Sequence, residues 1–174
     1  KPKVKAAEAK LIKDPIVEKA IRQSLKMPTG ELTKADLEKV TDLSLYDTEI
    51  TDAGLKEVAK LQQLERLGLI ATKITDVGLK ELAKMQNLTR LSLAGTQITD
   101  AGLKDVVKLQ KLTHLHLSDT KITDAGLKEV AKLQKLTDLY LPHTKVTDEG
   151  LKEIAKLQNL TSLYLSFTKV TDAG

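Results

Sequence analysis

His114, His116 and His143 stand near Asp119 and Asp138, and imidazole with carboxylate is a donor set that zinc accepts. His114 and His116 would point the same way from one extended strand, with Asp138 beside the first and His143 and Asp119 on adjoining rungs. That face would be open and wet, and no supporting shell is identifiable, so surface histidines explain the pattern better than a metal site. Ser118 and Ser166 also have histidine neighbours, but no G-x-S-x-G turn surrounds them. Aspartates recur at 52, 76, 100, 124, 148 and 172, which raises calcium. The calcium-solenoid pattern G-G-x-G-x-D is missing, and each aspartate is placed to cap a helix. The chain has no cysteine, which excludes thiol nucleophiles, disulfides and Cys-based zinc sites. A non-enzymatic protein without cofactor or metal is expected, and a metal-dependent enzyme is the weakest alternative.

The elements that must position these residues follow from self-similarity. The phrase Ile-Thr-Asp-x-Gly-Leu, with Val for Ile twice, starts at Ile50, Ile74, Ile98, Ile122, Val146 and Val170, a period of 24 residues. Each unit has two hydrophobic periods. Leu112, Leu115 and Leu117 flank outward residues as a short strand requires, whereas Leu127, Val130 and Ala131 follow helical i, i+3, i+4 spacing, with Lys128, Glu129 and Lys132 opposite. A strand-helix unit cannot bury its apolar stripe alone, so units stack. Strands at about 4.8 Å and helices at about 8–10 Å force curvature, with strands on the concave side.

Composition agrees with an aliphatic solenoid: aromatic residues are 2% of the chain, with no Trp and one Phe. The net charge of +4 belongs to residues 1–13, where five lysines face Glu8 alone. The remainder is neutral, which removes the support for nucleic-acid binding. Convex lysines such as Lys80 and Lys104 are offset by neighbouring Glu81 and Asp105, as on a solvated helix face. No apolar run is long enough to span a membrane. Lys1 opens the chain without a methionine, as a mature or trimmed product would.

The pattern L-x-x-L-x-L-x-x-T-x-I-T-D-x-G-L over residues 40–174 resembles the leucine-rich repeat family, in particular bacterial proteins with the T-D-x-G-L variant. The resemblance implies a right-handed α/β horseshoe with a parallel ladder inside and short helices outside. Thr stands at 48, 72, 96, 120, 144 and 168 where the family more often has Asn or Cys, so fewer backbone bonds and a looser turn are expected. Residues 14–39 form a helical N-terminal cap: Asp14-Pro15 begins a helix with an apolar stripe at Ile16, Val17, Ala20, Ile21 and Leu25. Thr33 and Asp36 then resemble a capping box with Leu32 and Leu37 as its staple. This segment resembles the cap of internalin-like bacterial proteins, and residues 1–13 read as a Lys-rich leader or linker.

The repeat leaves four outward positions per unit free, at and after each strand, such as Arg90, Ser92, Ala94 and Gly95 or His114, His116, Ser118 and Asp119; side by side they should give one row Asp42, Arg66, Arg90, His114, Asp138, Ser162 and a second Ser44, Gly68, Ser92, His116, Tyr140, Tyr164. All three histidines, all three tyrosines, the phenylalanine and two of three arginines fall on them, while lysine and glutamate do not. Tyr and Arg give contact area at modest entropy cost, so the composition is that of an interface. The expected partner-binding residues are Tyr46, Arg66, Arg90, His114, His116, Asp138, Tyr140, His143, Tyr164 and Phe167. A trough of small residues, Gly68, Ala71, Ser92, Ala94 and Gly95, separates Tyr46 from the aromatic cluster. A protein or peptide ligand is the first expectation, a carbohydrate or cell-surface ligand the second. The bacterial relatives imply an extracytoplasmic site, secreted or at the cell surface. F-box adaptors with similar repeats offer a cytoplasmic alternative. The repeat begun at Leu160 stops part-way, at Gly174, so either further repeats and a cap or self-association through that end is expected.

Overall fold

A computed structural model describes residues 10–174. Most of the Lys-rich leader, residues 1–9, lies outside the described residues. Of the rest, Ile12 is buried, and the Lys13 N–H donates to Glu57 at 2.9 Å, so the chain is already packed before the first helix.

Two helices open the fold, α1 (Pro15–Leu25) and α2 (Lys34–Leu37). Asp14 accepts from the N–H groups of Ile16 and Val17 at 2.8 and 3.1 Å, and Pro15 needs no partner in the first turn. The Thr33–Asp36 capping box is formed in both directions, and Leu32 and Leu37 are buried beside it.

Six strands of three residues follow: β1 (Asp42–Ser44), β2 (Arg66–Gly68), β3 (Arg90–Ser92), β4 (His114–His116), β5 (Asp138–Tyr140) and β6 (Ser162–Tyr164). Between them run five two-turn helices: α3 (Asp52–Val58), α4 (Asp76–Leu82), α5 (Asp100–Val106), α6 (Asp124–Val130) and α7 (Asp148–Ile154). The strands form one parallel sheet in sequence order, and the register advances by one repeat per strand. This is the α/β leucine-rich repeat solenoid. The core lies between sheet and helices as a continuous aliphatic column. In one inner unit Leu112, Leu115, Leu117, Ile122, Leu127 and Val130 are all fully buried. In the unit that holds β6, Leu160, Leu163, Leu165 and Val170 are only partly buried.

The repeated aspartates correct the sequence expectation, because they are not the helix caps. Thr123 caps α6, its hydroxyl accepting from Ala125 N–H at 3.2 Å, and Asp124 is the first helical residue. Its carboxylate reaches into the next unit, accepting the Thr147 N–H at 2.8 Å and the Thr147 hydroxyl at 2.7 Å. The same pair of bonds joins Asp52 to Thr75, Asp76 to Thr99, Asp100 to Thr123 and Asp148 to Thr171. The motif glycine makes room for this ladder: a β-carbon at Gly150 would lie 2.4 Å from Asp124 Oδ1. Asp14 Oδ2 also lies 2.9 Å from the position of a β-carbon on Gly54, but Asp14 caps its own helix and, among the described residues, makes no bond to Thr51.

In the inner units the hydroxyl of each turn threonine makes one bond. The hydroxyls of Thr72, Thr96, Thr120 and Thr144 donate to the carbonyls of Leu69, Leu93, Leu117 and Leu141 at 2.6–2.7 Å, closing each turn from inside. Immediately before the threonine the backbone is left-handed in every unit, at Asp47, Ala71, Gly95, Asp119, His143 and Phe167.

Candidate binding face

In a parallel sheet the outward residues of successive strands align, so each concave position becomes a row perpendicular to the strands. The first row runs Asp42, Arg66, Arg90, His114, Asp138, Ser162, and the second runs Ser44, Gly68, Ser92, His116, Tyr140, Tyr164. Both match the order read from the repeat.

The first row is organised by charge. Arg66 Nε donates to Asp42 at 2.8 Å, and His114 Nε2 lies 3.2 Å from Asp138. Threonines preceding the strands support the second pair: Thr113 is 2.9 Å from His114 Nδ1, and the Thr137 hydroxyl donates to Asp138 at 2.6 Å. The Thr137 bond, aided by the His114 charge against some desolvation, lowers the Asp138 carboxyl below its ordinary value. Arg90 stands between these pairs with no ion pair or side-chain hydrogen bond among the described residues.

The second row becomes aromatic toward β6. His116 and Tyr140 have ring centroids 5.0 Å apart at 45°, and Tyr140 and Tyr164 stack at 4.3 Å and 4°. Burial, and then the neighbouring Tyr164, raises the Tyr140 hydroxyl above its ordinary pKa. Beside this row, His143 and Phe167 stack at 4.5 Å and 13°. Such pairs add about 0.5–1.5 kcal/mol beyond area burial. Phe167 nevertheless remains 80% exposed with φ at 59°, in a region that disfavours side chains with a β-carbon. Neither packing nor backbone geometry asks for phenylalanine there.

Of the expected site residues, His116, Tyr140, His143, Tyr164 and Phe167 are brought together over β4–β6, with His114 and Asp138 at their edge. Arg66 and Arg90 lie on the adjoining rungs. Tyr46 is exposed on the β1 unit, three rung spacings or about 14 Å from the unit carrying His116, and does not join the cluster. Two other positions read as outward are not: Ala94 and Ser118 are buried. The strands end two residues earlier, so the alternation that exposes 92 and 116 no longer holds at 94 and 118. Ser92, read from the sequence only as a small residue, has a buried Oγ without a hydrogen-bond partner among the described residues. No sequence signal marks it beyond its place in the small-residue trough.

His116 Nε2 and Ser118 Oγ are 2.8 Å apart, within reach for a base and a nucleophile. The serine is buried, however, and no carboxylate bonds to His116 Nδ1 among the described residues. Burial lowers the His116 pKa, with the Asp119 charge opposing. The pair closes the end of a strand and presents no attacking oxygen. Among the described residues no three His, Cys, Asp or Glu side chains come together to hold a metal ion.

The fold and this face define a leucine-rich repeat solenoid that displays non-consensus side chains on an open strand surface. The chain belongs to the leucine-rich repeat region family, whose model matches residues 22–173. No curated protein matches the sequence. Among solved structures, internalin C2 from Listeria monocytogenes is similar, with 23% identity over 92% of this chain and 87% of that one and a TM-score of 0.52. At that identity the likeness speaks for the fold alone. Among the described residues, no helix is long and apolar enough to cross a membrane.

Proposed function

We propose that this protein is a non-enzymatic scaffold that binds a protein or peptide on its concave strand face, centred on Tyr140, Tyr164, His143 and Phe167. The observation that carries this reading is Phe167. A large apolar ring is held 80% in solvent on a left-handed backbone, although glycine occupies the equivalent position in the β3 unit. That turn is left-handed in every unit and holds Asp, Ala, Gly or His elsewhere, so the fold does not ask for a large ring there. The stacked rings around it are rigid and amphipathic, the character of residues that dominate protein interfaces.

A carbohydrate ligand is the second reading, favoured by the open ring of Phe167 and the 46% exposure of Tyr164. A protein ligand fits better, because Tyr140, with His116 on one side and Tyr164 on the other, leaves chiefly its edge and hydroxyl for contact. We further propose that the scaffold acts outside the cytoplasm, at the cell surface or secreted, a reading supported by the resemblance of its repeats to those of bacterial leucine-rich repeat proteins. Selection from a random-peptide display library on the folded chain, in parallel with a glycan array, tests the reading. Peptides that bind the parent chain and not its Tyr164→Ala and Phe167→Ala variants support it. Glycan binding without peptide binding supports the alternative.

A further inference from the structure

Next to the aromatic cluster the two rows line a hollow of about 200 Å³, with Arg66, Arg90 and His114 from the first row, Gly68, Ser92 and Tyr140 from the second, and strand leucines between them. Drug-sized ligands occupy roughly 300–1,000 Å³, so this space suits one side chain of a larger ligand. Three features of the hollow have no structural cause. Gly68 is not required by packing, since a β-carbon there would meet only Ser44 at 3.9 Å, an ordinary contact. The Ser92 hydroxyl is buried without a hydrogen-bond partner among the described residues. Arg90 has no carboxylate within ion-pair distance among the described residues, because Asp42 is engaged by Arg66 and Asp138 by His114 and Thr137, and its charge acts on Asp138 only at longer range.

An empty floor, an orphaned hydroxyl and an unpaired guanidinium describe the complement of one anionic group. We infer that this hollow is a carboxylate subsite, in which Arg90 and the Ser92 hydroxyl hold an Asp or Glu side chain, or the C-terminal carboxylate, of a bound peptide. Guanidinium offers two parallel N–H donors to a carboxylate, and the serine adds an O–H donor once its side chain turns from its buried position into the hollow. The aromatic rungs beyond Tyr140 then take the neighbouring residue. The peptide thus runs across the strands, acidic end over β2–β3 and apolar end over β5–β6. This inference rests on the concave face being a peptide-binding surface.

The test uses peptides selected by display on the full chain, with affinities measured by calorimetry. A shared carboxylate is expected among them. Arg90→Gln should weaken binding by about tenfold or more, the worth of a hydrogen bond to a charged group. Gly68→Leu, which fills the hollow, should weaken it similarly, and Lys104→Gln on the helix side should leave it unchanged. Replacing the peptide's Glu by Gln should cost the same factor with the parent chain and nothing with Arg90→Gln. Amidating its C terminus distinguishes the two sources of carboxylate. Peptides that need Tyr164 but carry no required carboxylate, or are indifferent to Arg90→Gln, overturn this inference and leave the binding face standing. Failure to select any peptide, selected peptides indifferent to Tyr164→Ala, or capture of acidic glycans alone overturns both.

Discussion

Replacing Gly126 with alanine puts a β-carbon 2.3 Å from Asp100 Oδ1, 2.9 Å from Leu103 Cδ1 and 3.1 Å from Ile122 Cγ2. The carboxylate is the group that must move, and moving it breaks its bonds to the Thr123 N–H and hydroxyl, at 2.8 and 2.6 Å. Hydrogen bonds to charged groups are worth about 1.5–3 kcal/mol each, and alanine for glycine inside a helix returns about 0.5–1 kcal/mol. With a discount for partial exposure, Gly126→Ala should cost about 2–4 kcal/mol. Urea denaturation of a double-mutant cycle isolates the cause. In an Asp100→Ala background the carboxylate is already gone, so Gly126→Ala should be neutral or slightly stabilising, giving a coupling of about 2–4 kcal/mol. Equal costs in both backgrounds would show that crowding against Leu103 and Ile122, not the aspartate ladder, dictates the glycine. Unfolding midpoints followed by circular dichroism and by Tyr fluorescence should coincide if the array melts as a unit.

Phe167→Gly should leave stability unchanged or raise it by up to about 1 kcal/mol, because the strained left-handed backbone is relieved while a stacking contact is lost. The same change should abolish binding, and a large drop in melting temperature would assign the ring a structural role instead. The Thr33 hydroxyl, followed by Lys39, holds the Asp36 carboxyl at about 2 against an ordinary value of 3.8. A depressed folded-state value stabilises fully above pH 3.8 and is lost as pH falls toward 2, so acid should loosen the N-terminal cap in that window. Amide NMR of Asp36→Asn should show a cap that is weaker at neutral pH and loses the pH dependence that the parent shows there. A parent-like acid response in the variant would move the cause elsewhere.

The repeat made the fold legible because a 24-residue period fixes register, sheet order and the alignment of concave rows at once. Each row predicted from spacing is a row in the sheet. The aspartates were misread for a physical reason: Thr and Asp are both good N-caps, and local sequence cannot separate them when the true partner lies 23 residues away on the next rung. Ala94 and Ser118 were misplaced because alternation holds only within a strand, and these strands are three residues long. The aromatic cluster was visible as composition, since Tyr140 and Tyr164 share a row. The hollow beside it was visible only as small residues. An orphaned Ser92 hydroxyl and an unpaired Arg90 depend on where neighbouring side chains turn, which the spacing of one chain does not encode.

The most direct measurement is the affinity of a display-selected peptide for the parent chain and for the Tyr140→Ala, Tyr164→Ala and Phe167→Ala variants, each with its melting temperature. Binding should fall by about 30-fold or more at Tyr164 and Phe167, as for hot-spot side chains, with melting temperatures near that of the parent. Parent-like affinity in all three folded variants would contradict the assignment of the binding site to the concave aromatic cluster.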